Sequence, residues 1–200
     1  MASAFGETSA GVARTRMNDP AFFGYGSLVN LATHAYDDPR PAVLHGWRRV
    51  WRPTNLRKAA YLSVMRCGQT SLHGVIARVP GADWVSLDQR EAAYQRHDVS
   101  HTIHHDGPYA PTAVYQVKPD HIANAGSHPI LLSYVDVVVQ GYLRVHGHAG
   151  VTHFFETTDG WNTPILNDRA NPIYPRHQIL SRAEQALVDD HLTAVMEKAE

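Results

Sequence analysis

The chain has little of what would tie it to an oxidising compartment, a membrane or a polyanion. One of its 200 residues is cysteine, Cys67, so no internal disulfide is possible and a reducing compartment is expected. No run approaches the roughly 18 apolar residues that span a bilayer. The first twenty residues are small and polar, without the apolar centre of a secretion signal. The net charge is −1 with histidine neutral, which leaves no long-range field to attract nucleic acid or an anionic lipid surface. Lysine is scarce, three residues against fifteen arginines. Arginine suits bidentate carboxylate contacts, although genomic composition gives the same bias. The expectation is a cytoplasmic protein without nucleic-acid or membrane partners, acting as a monomer or homodimer.

What is present supports a packed core. Hydrophobic residues make up 44% and charged residues 18%, a balance of ordered rather than disordered chains. The length fits one domain over 21–200 behind a flexible tail over 1–20. Residues 21–24 read as a strand, and 43–52 as a β-rich stretch with Gly46 as a bulge. Two more strands, 60–66 and 72–79, read as joined by a turn at Cys67-Gly68-Gln69-Thr70. Gly74 within the second marks close backbone packing. Asp83 is an N-cap signal for a helix over 84–97. Residues 99–103 and 112–117 read as strands on either side of a Gly107-Pro108 turn. Ser127 reads as the cap of a second helix, with Pro129 in its first turn and Ile130, Tyr134, Val138 and Tyr142 on one stripe. Pro164, Pro172 and Pro175 make 157–178 irregular, and Ser181 with Glu184 forms a capping box for a last helix. Short strands interleaved with two or three helices suggest an α+β fold around a strongly bent or closed sheet.

The most informative segment is Phe22-Phe23-Gly24-Tyr25-Gly26-Ser27-Leu28. It reads as an apolar strand breaking into a glycine loop, where a ligand can approach the main chain. Its amides can form a concavity for a carboxylate or an oxyanion; the alternative is an ordinary turn. A second candidate is Glu91, four residues after Leu87 on the predicted helix. If Leu87 points inward, Glu91 is drawn partly inward too, and a half-buried carboxylate becomes a proton carrier near neutral pH. The alternative is a solvated surface charge. Cys67 has no evident base partner and reads as a spectator thiol.

Together these residues resemble the γ-glutamylcyclotransferase-like family, which includes ChaC-like glutathione-degrading enzymes and γ-glutamylamine cyclotransferases. Gly24-Tyr25-Gly26-Ser27-Leu28 is close to the ChaC-like form. A Leu-Asp-x-x-Glu helix follows some sixty residues later, and Gly46-Trp47-Arg48-Arg49 resembles the family's glycine–aromatic–Arg stretch. The resemblance covers roughly residues 21–145. It implies a small mixed β-barrel flanked by helices and a cofactor-free reaction. In that reaction the α-amine of a small γ-glutamyl substrate attacks its own γ-carbonyl, giving 5-oxoproline and a released amine or amino acid. It maps the proton carrier onto Glu91 and the substrate loop onto Tyr25, Gly26, Ser27 and Leu28. Tyr134, and Tyr94 beside Glu91, are expected at the pocket. The tyrosine that the family tends to place at the start of the next strand is absent, with Asp98 and Val99 standing there, which bears on specificity.

Three other readings accompany this one. A non-catalytic binding module can keep the same pocket, although such a module has no need of Glu91. Fourteen histidines, dense between His97 and His105, raise a metal-dependent hydrolase. However, the His-Glu-x-x-His helix is missing, and a strand over 99–103 would split the cluster between two faces, so no metal is expected. Arg169 and Arg176, held among prolines in 168–176, either take a substrate carboxylate or stiffen a surface connection.

Overall fold

The structure, a computed structural model, describes residues 19–108, 110–123 and 128–198. The tail expected over 1–20 therefore lies outside the described residues up to 18. Asp19 is already packed against the fold, its carboxylate accepting from the Gly81 amide at 3.0 Å. Strand β1 (Ala21–Gly24) is buried at every position. It lies between two partners, antiparallel to β3 (Ala60–Arg78) and parallel to β6 (Thr112–Val117). A strand covered on both faces needs no polar alternation, which is why Ala21, Phe22 and Phe23 follow one another.

The largest element is a hairpin of β2 (Asp37–Pro53) and β3. Its turn is 54–59, not the turn expected at Cys67-Gly68. The register passes from His45 opposite Ser71 to Trp47 opposite Arg66. Residues 67–70 therefore bulge out of one continuous strand opposite Gly46, whose φ of +81° requires glycine. Turn-forming residues in sequence serve a bulge equally well, and the pairing partner decides between them.

The helix expected over 84–97 is shorter. Helix α1 (Trp84–Arg90) stops with Glu91 as its C-cap, and β4 (Tyr94–Asp98) follows at once, paired antiparallel with β6. Ladder bonds offered by β6 override the local helical preference. The strand expected at 99–103 is a turn, closed by the Thr102 amide on the Val99 carbonyl at 2.9 Å. Only β5 (Ile103–His104) joins β2.

Helix α2 (Leu132–Glu156) begins directly after β7 (Ile130–Leu131), so Pro129 precedes it rather than entering its first turn. The cap expected at Ser127 falls outside the described residues. The helix breaks at Gly147, φ +65°. Its Val135 and Val137–Val139 run is β-branched and a poor helix former. Burial holds it, because these valines are 1% exposed or less. Beyond it β8 (Thr158–Asp159) pairs with β2 and β9 (Ile165–Leu166) with β7. Helix α3 (Arg182–Glu197) starts with both halves of the expected capping box at Ser181 and Glu184.

The main sheet runs β4-β6-β1-β3-β2-β5 with β8 beside β2. It curls enough for Trp47 on β2 to lie 6.0 Å, ring to ring, from His97 on β4. No ladder joins β4 to β5 among the described residues. The expected α+β fold is thus present with its sheet as a half-barrel rather than a closed barrel. Helix α2 packs on the curled face, where Val135, Val138, Val139, Tyr142 and Phe154 share a core with Phe23, Leu44, Leu62 and Val75. Among the described residues no helix is long and apolar enough to cross a membrane.

Candidate active site

The loop after β1 forms a single tight turn, Ser27–Val29, with Gly26 at its N-terminal boundary. The Val29 and Asn30 amides close it on the Gly26 and Ser27 carbonyls at 2.9 and 3.1 Å. A side chain at Gly26 has no room, because a Cβ there would sit 2.5 Å from the Tyr134 hydroxyl. That hydroxyl comes from the first turn of α2 and lies against the loop.

Loop and helix are locked together beneath the site. Leu28 and Leu87 belong to one small core with Phe22, Ala77, Val79 and Tyr115. Leu87 is 0% exposed. One residue past the helix end, the Glu91 side chain is 16% exposed and meets the Arg90 Nε at 3.2 Å. Burial raises its pKa above the usual glutamate value, and the Arg90 and Arg176 cations and the Arg90 hydrogen bond offset this only in part. Asp88 faces the other way, accepting from the Tyr115 hydroxyl at 2.6 Å and pairing with Arg96.

Glu91 and the glycine loop line a common small pocket of about 30 Å³, with Tyr25, Gly26, Ser27, Leu28, Tyr94 and Tyr134 in its wall. Ser27, Leu62, Glu91, Tyr94 and Tyr134 also border an outer cavity of about 610 Å³, so the two adjoin across a shared wall. A third depression, about 670 Å³, runs along Trp84 and β4 and includes neither Glu91 nor the loop. Every site residue that the resemblance implies lines the smaller pair. The Tyr25 hydroxyl is spent on the Tyr115 carbonyl at 2.6 Å and that of Tyr94 on the Leu62 carbonyl at 3.0 Å. Both are pushed up in pKa by burial, so they shape the wall as neutral groups. Strand β4 starts at Tyr94, earlier than the strand expected from Val99.

Sequence reasoning missed what holds the loop from behind. Arg49 is 0% exposed and pairs with no carboxylate among the described residues. Its Nε donates to the Tyr25 carbonyl at 3.1 Å, and its other nitrogens donate to Thr157 Oγ1 and the His73 carbonyl, both at 2.6 Å, and to the Tyr142 hydroxyl. Tyr142 also donates to the Tyr25 carbonyl at 3.0 Å. The peptide entering Gly26 is thus gripped on its carbonyl side. The signal was present in the alternation of β2: Trp47, Arg49 and Trp51 share its buried face, while Arg48 points out to Asp159 at 2.7 Å.

Arg169 is not at the site. It grips Asp136 through two bonds, 2.7 and 2.8 Å, and reaches Asp189. Arg176 lines the outer cavity. Cys67 is a free thiol beside Thr70. The histidines of 97–105 are split between β4, a turn and β5. Among the described residues no three His, Cys, Asp or Glu side chains converge on a metal position.

Comparison with known proteins places this geometry. The fold is shared with a γ-glutamyl cyclotransferase at TM-score 0.55 and 13% identity, covering 86% of this chain and 99% of that one. An uncharacterised human protein matches at TM-score 0.56 and 13% identity with the same coverage. YkqA from Bacillus subtilis matches at 0.55 and 19% identity over 74% of this chain, which spans only 59% of that protein. A comparison with curated protein sequences found no significant match. The sequence profile of the ChaC-like proteins matches residues 21–150. The chain belongs to the ChaC-like protein family.

Proposed function

We propose that the protein is a cofactor-independent γ-glutamyl cyclotransferase. The observation that carries this reading is a partly buried, under-compensated Glu91 carboxylate sharing one pocket with the amides of the Gly26–Ser27 loop. The substrate's α-ammonium, with an ordinary pKa of about 8, must lose a proton before it can attack. Glu91 takes that proton. The amine nitrogen then bonds to the γ-carbonyl carbon of the same molecule and closes a five-membered ring. The loop amides hold the substrate or the developing oxyanion. As the carbonyl re-forms, the bond to the leaving nitrogen breaks and Glu91 returns its proton there, while the second proton, shed by the ring nitrogen as it becomes an amide, leaves with the released amine as its ammonium ion. The products are 5-oxoproline and the released amine. Folding of the glutamyl chain against the tyrosine wall supplies the orientation that ring closure needs. The unpaired Cys67 accords with work in the reducing cytoplasm.

The test is 5-oxoproline release from a panel of γ-glutamyl compounds, glutathione among them, by the wild-type chain and by Glu91→Gln. Loss of release with substrate binding retained supports the mechanism. Unchanged release in the variant overturns it.

A further inference from the structure

The outer cavity has two unlike halves. One is cationic: Arg57 and Lys58 from the β2–β3 turn, Arg90, and Arg176, with Glu91 the single carboxylate in the lining. Arg90 is occupied by Glu91 and the Thr33 carbonyl. Arg57, Lys58 and Arg176 form no ion pair with any described carboxylate. The other half is apolar. Leu56, Leu166 and Ile173 are 45, 41 and 56% exposed, and all three converge on this cavity with Tyr174. Large apolar side chains scattered singly over a surface are ordinary, whereas a convergent set beside a reactive group marks a ligand wall.

The far wall comes from residues 166–176, beyond the 21–150 that match the family profile, and it is pinned to the start of α2. Asp168 accepts from the Ser133 amide and hydroxyl and from the Ile173 amide at 2.8, 2.6 and 2.8 Å. Tyr174 packs edge-on against Tyr134, ring centres 4.9 Å apart. Such a wall is formed before the ligand arrives, which lowers the entropy cost of binding.

We propose that the leaving portion of the substrate is a bulky apolar amino acid, or a short peptide beginning with one, carrying a free carboxylate. Its side chain lies against Leu56, Leu166 and Ile173, and its carboxylate is taken by the Arg176 guanidinium. This rests on the cyclotransferase reading only for placing the scissile bond beside Glu91. A diamine leaving group would meet like charge from Arg57, Lys58 and Arg176. Glycine would leave the apolar wall wet.

The test is calorimetric binding to the full chain carrying Glu91→Gln, which removes turnover. The probes are γ-glutamyl-leucine, γ-glutamyl-glycine, the C-terminal amide of γ-glutamyl-leucine, and a γ-glutamyl diamine. The leucine compound should bind about tenfold more tightly than the glycine compound, and capping its carboxylate should cost about tenfold. Adding Arg176→Ala should abolish the difference between the acid and the amide and leave the amide's affinity unchanged. Glycine or diamine binding as tightly as leucine, or no measurable binding of any probe, overturns the proposal. A fall in amide affinity with Arg176→Ala does so too, because it would place that arginine on the glutamyl moiety. Wild-type 5-oxoproline release is measured in parallel. The expected affinity order without any release would sink the cyclotransferase reading and leave this one standing, and release without that order would do the reverse.

Discussion

Two carboxylates largely withdrawn from water lie near the start of α2, and they are treated in opposite ways. Asp168 accepts three hydrogen bonds, from Ser133 Oγ and the amides of Ser133 and Ile173. Burial would raise its pKa, but those bonds outweigh burial and hold it below the usual aspartate value. The Glu91 carboxylate has one hydrogen-bond partner among the described residues, the Arg90 Nε at 3.2 Å, and there burial prevails and the pKa rises. The saturated carboxylate caps a helix, and its neighbour Arg169 ties that helix to α3 through Asp136 and Asp189. The under-satisfied one faces the pocket. A charge whose bonds are complete has no reason to exchange a proton, whereas a charge left short of partners is poised to do so.

Perturbing each centre should separate them. The largest effect is expected from Glu91→Gln, which should lower the rate of 5-oxoproline formation by about 10²- to 10⁴-fold. Thermal denaturation at neutral pH should find the variant at least as stable as the parent, since the desolvated charge is gone. Next comes Asp168→Ala. It orphans two amides and a hydroxyl, and chemical denaturation should show a loss of about 2–3 kcal/mol.

The pH dependence of these two effects sharpens the contrast, because their signs differ. The raised Glu91 pKa favours folding below the ordinary glutamate range, and that stability is lost as pH rises through the folded value. The advantage of Glu91→Gln in melting temperature should therefore grow from acid to neutral pH. The lowered Asp168 pKa favours folding above the ordinary aspartate range, and the penalty of Asp168→Ala should fade as pH drops through the folded value. In kcat/KM the acid limb should lie above the usual glutamate pKa of about 4.3 and should vanish with Glu91→Gln. The smallest effect belongs to Arg169→Lys, which keeps the charge but loses the two-pronged contact with Asp136, about 1 kcal/mol by denaturation.

Legibility in the sequence followed the range of each signal. The capping box at Ser181 rests on contacts within a few residues, and strands β1 and β6 announce themselves as short apolar runs although their ladders are long-range, so reading along the chain found all three. The bulge at 67–70 and the early end of α1 each depend on a partner strand far away in sequence, β2 and β6, and there local turn and helix signals misled. The same divide runs through the site. The glycine loop and Glu91 carry recognisable local patterns. Arg49 stands in the Gly46-Trp47-Arg48-Arg49 stretch, but its reach to the Tyr25 carbonyl 24 residues upstream, like that of Asp168 to a helix start 35 residues before it, has no local pattern.

The amino-acid order by itself determined that a tight glycine turn would follow the first strand and that an acidic side chain would trail a leucine four positions back. Backbone sterics and helical spacing act over one or two turns of chain and need nothing further. Whether that acid would lie in water or against a tyrosine wall was decided by the curl of the sheet and the packing of Leu28 on Leu87. Desolvation depends on every atom nearby, whatever its distance along the chain, and only the folded arrangement supplies those atoms.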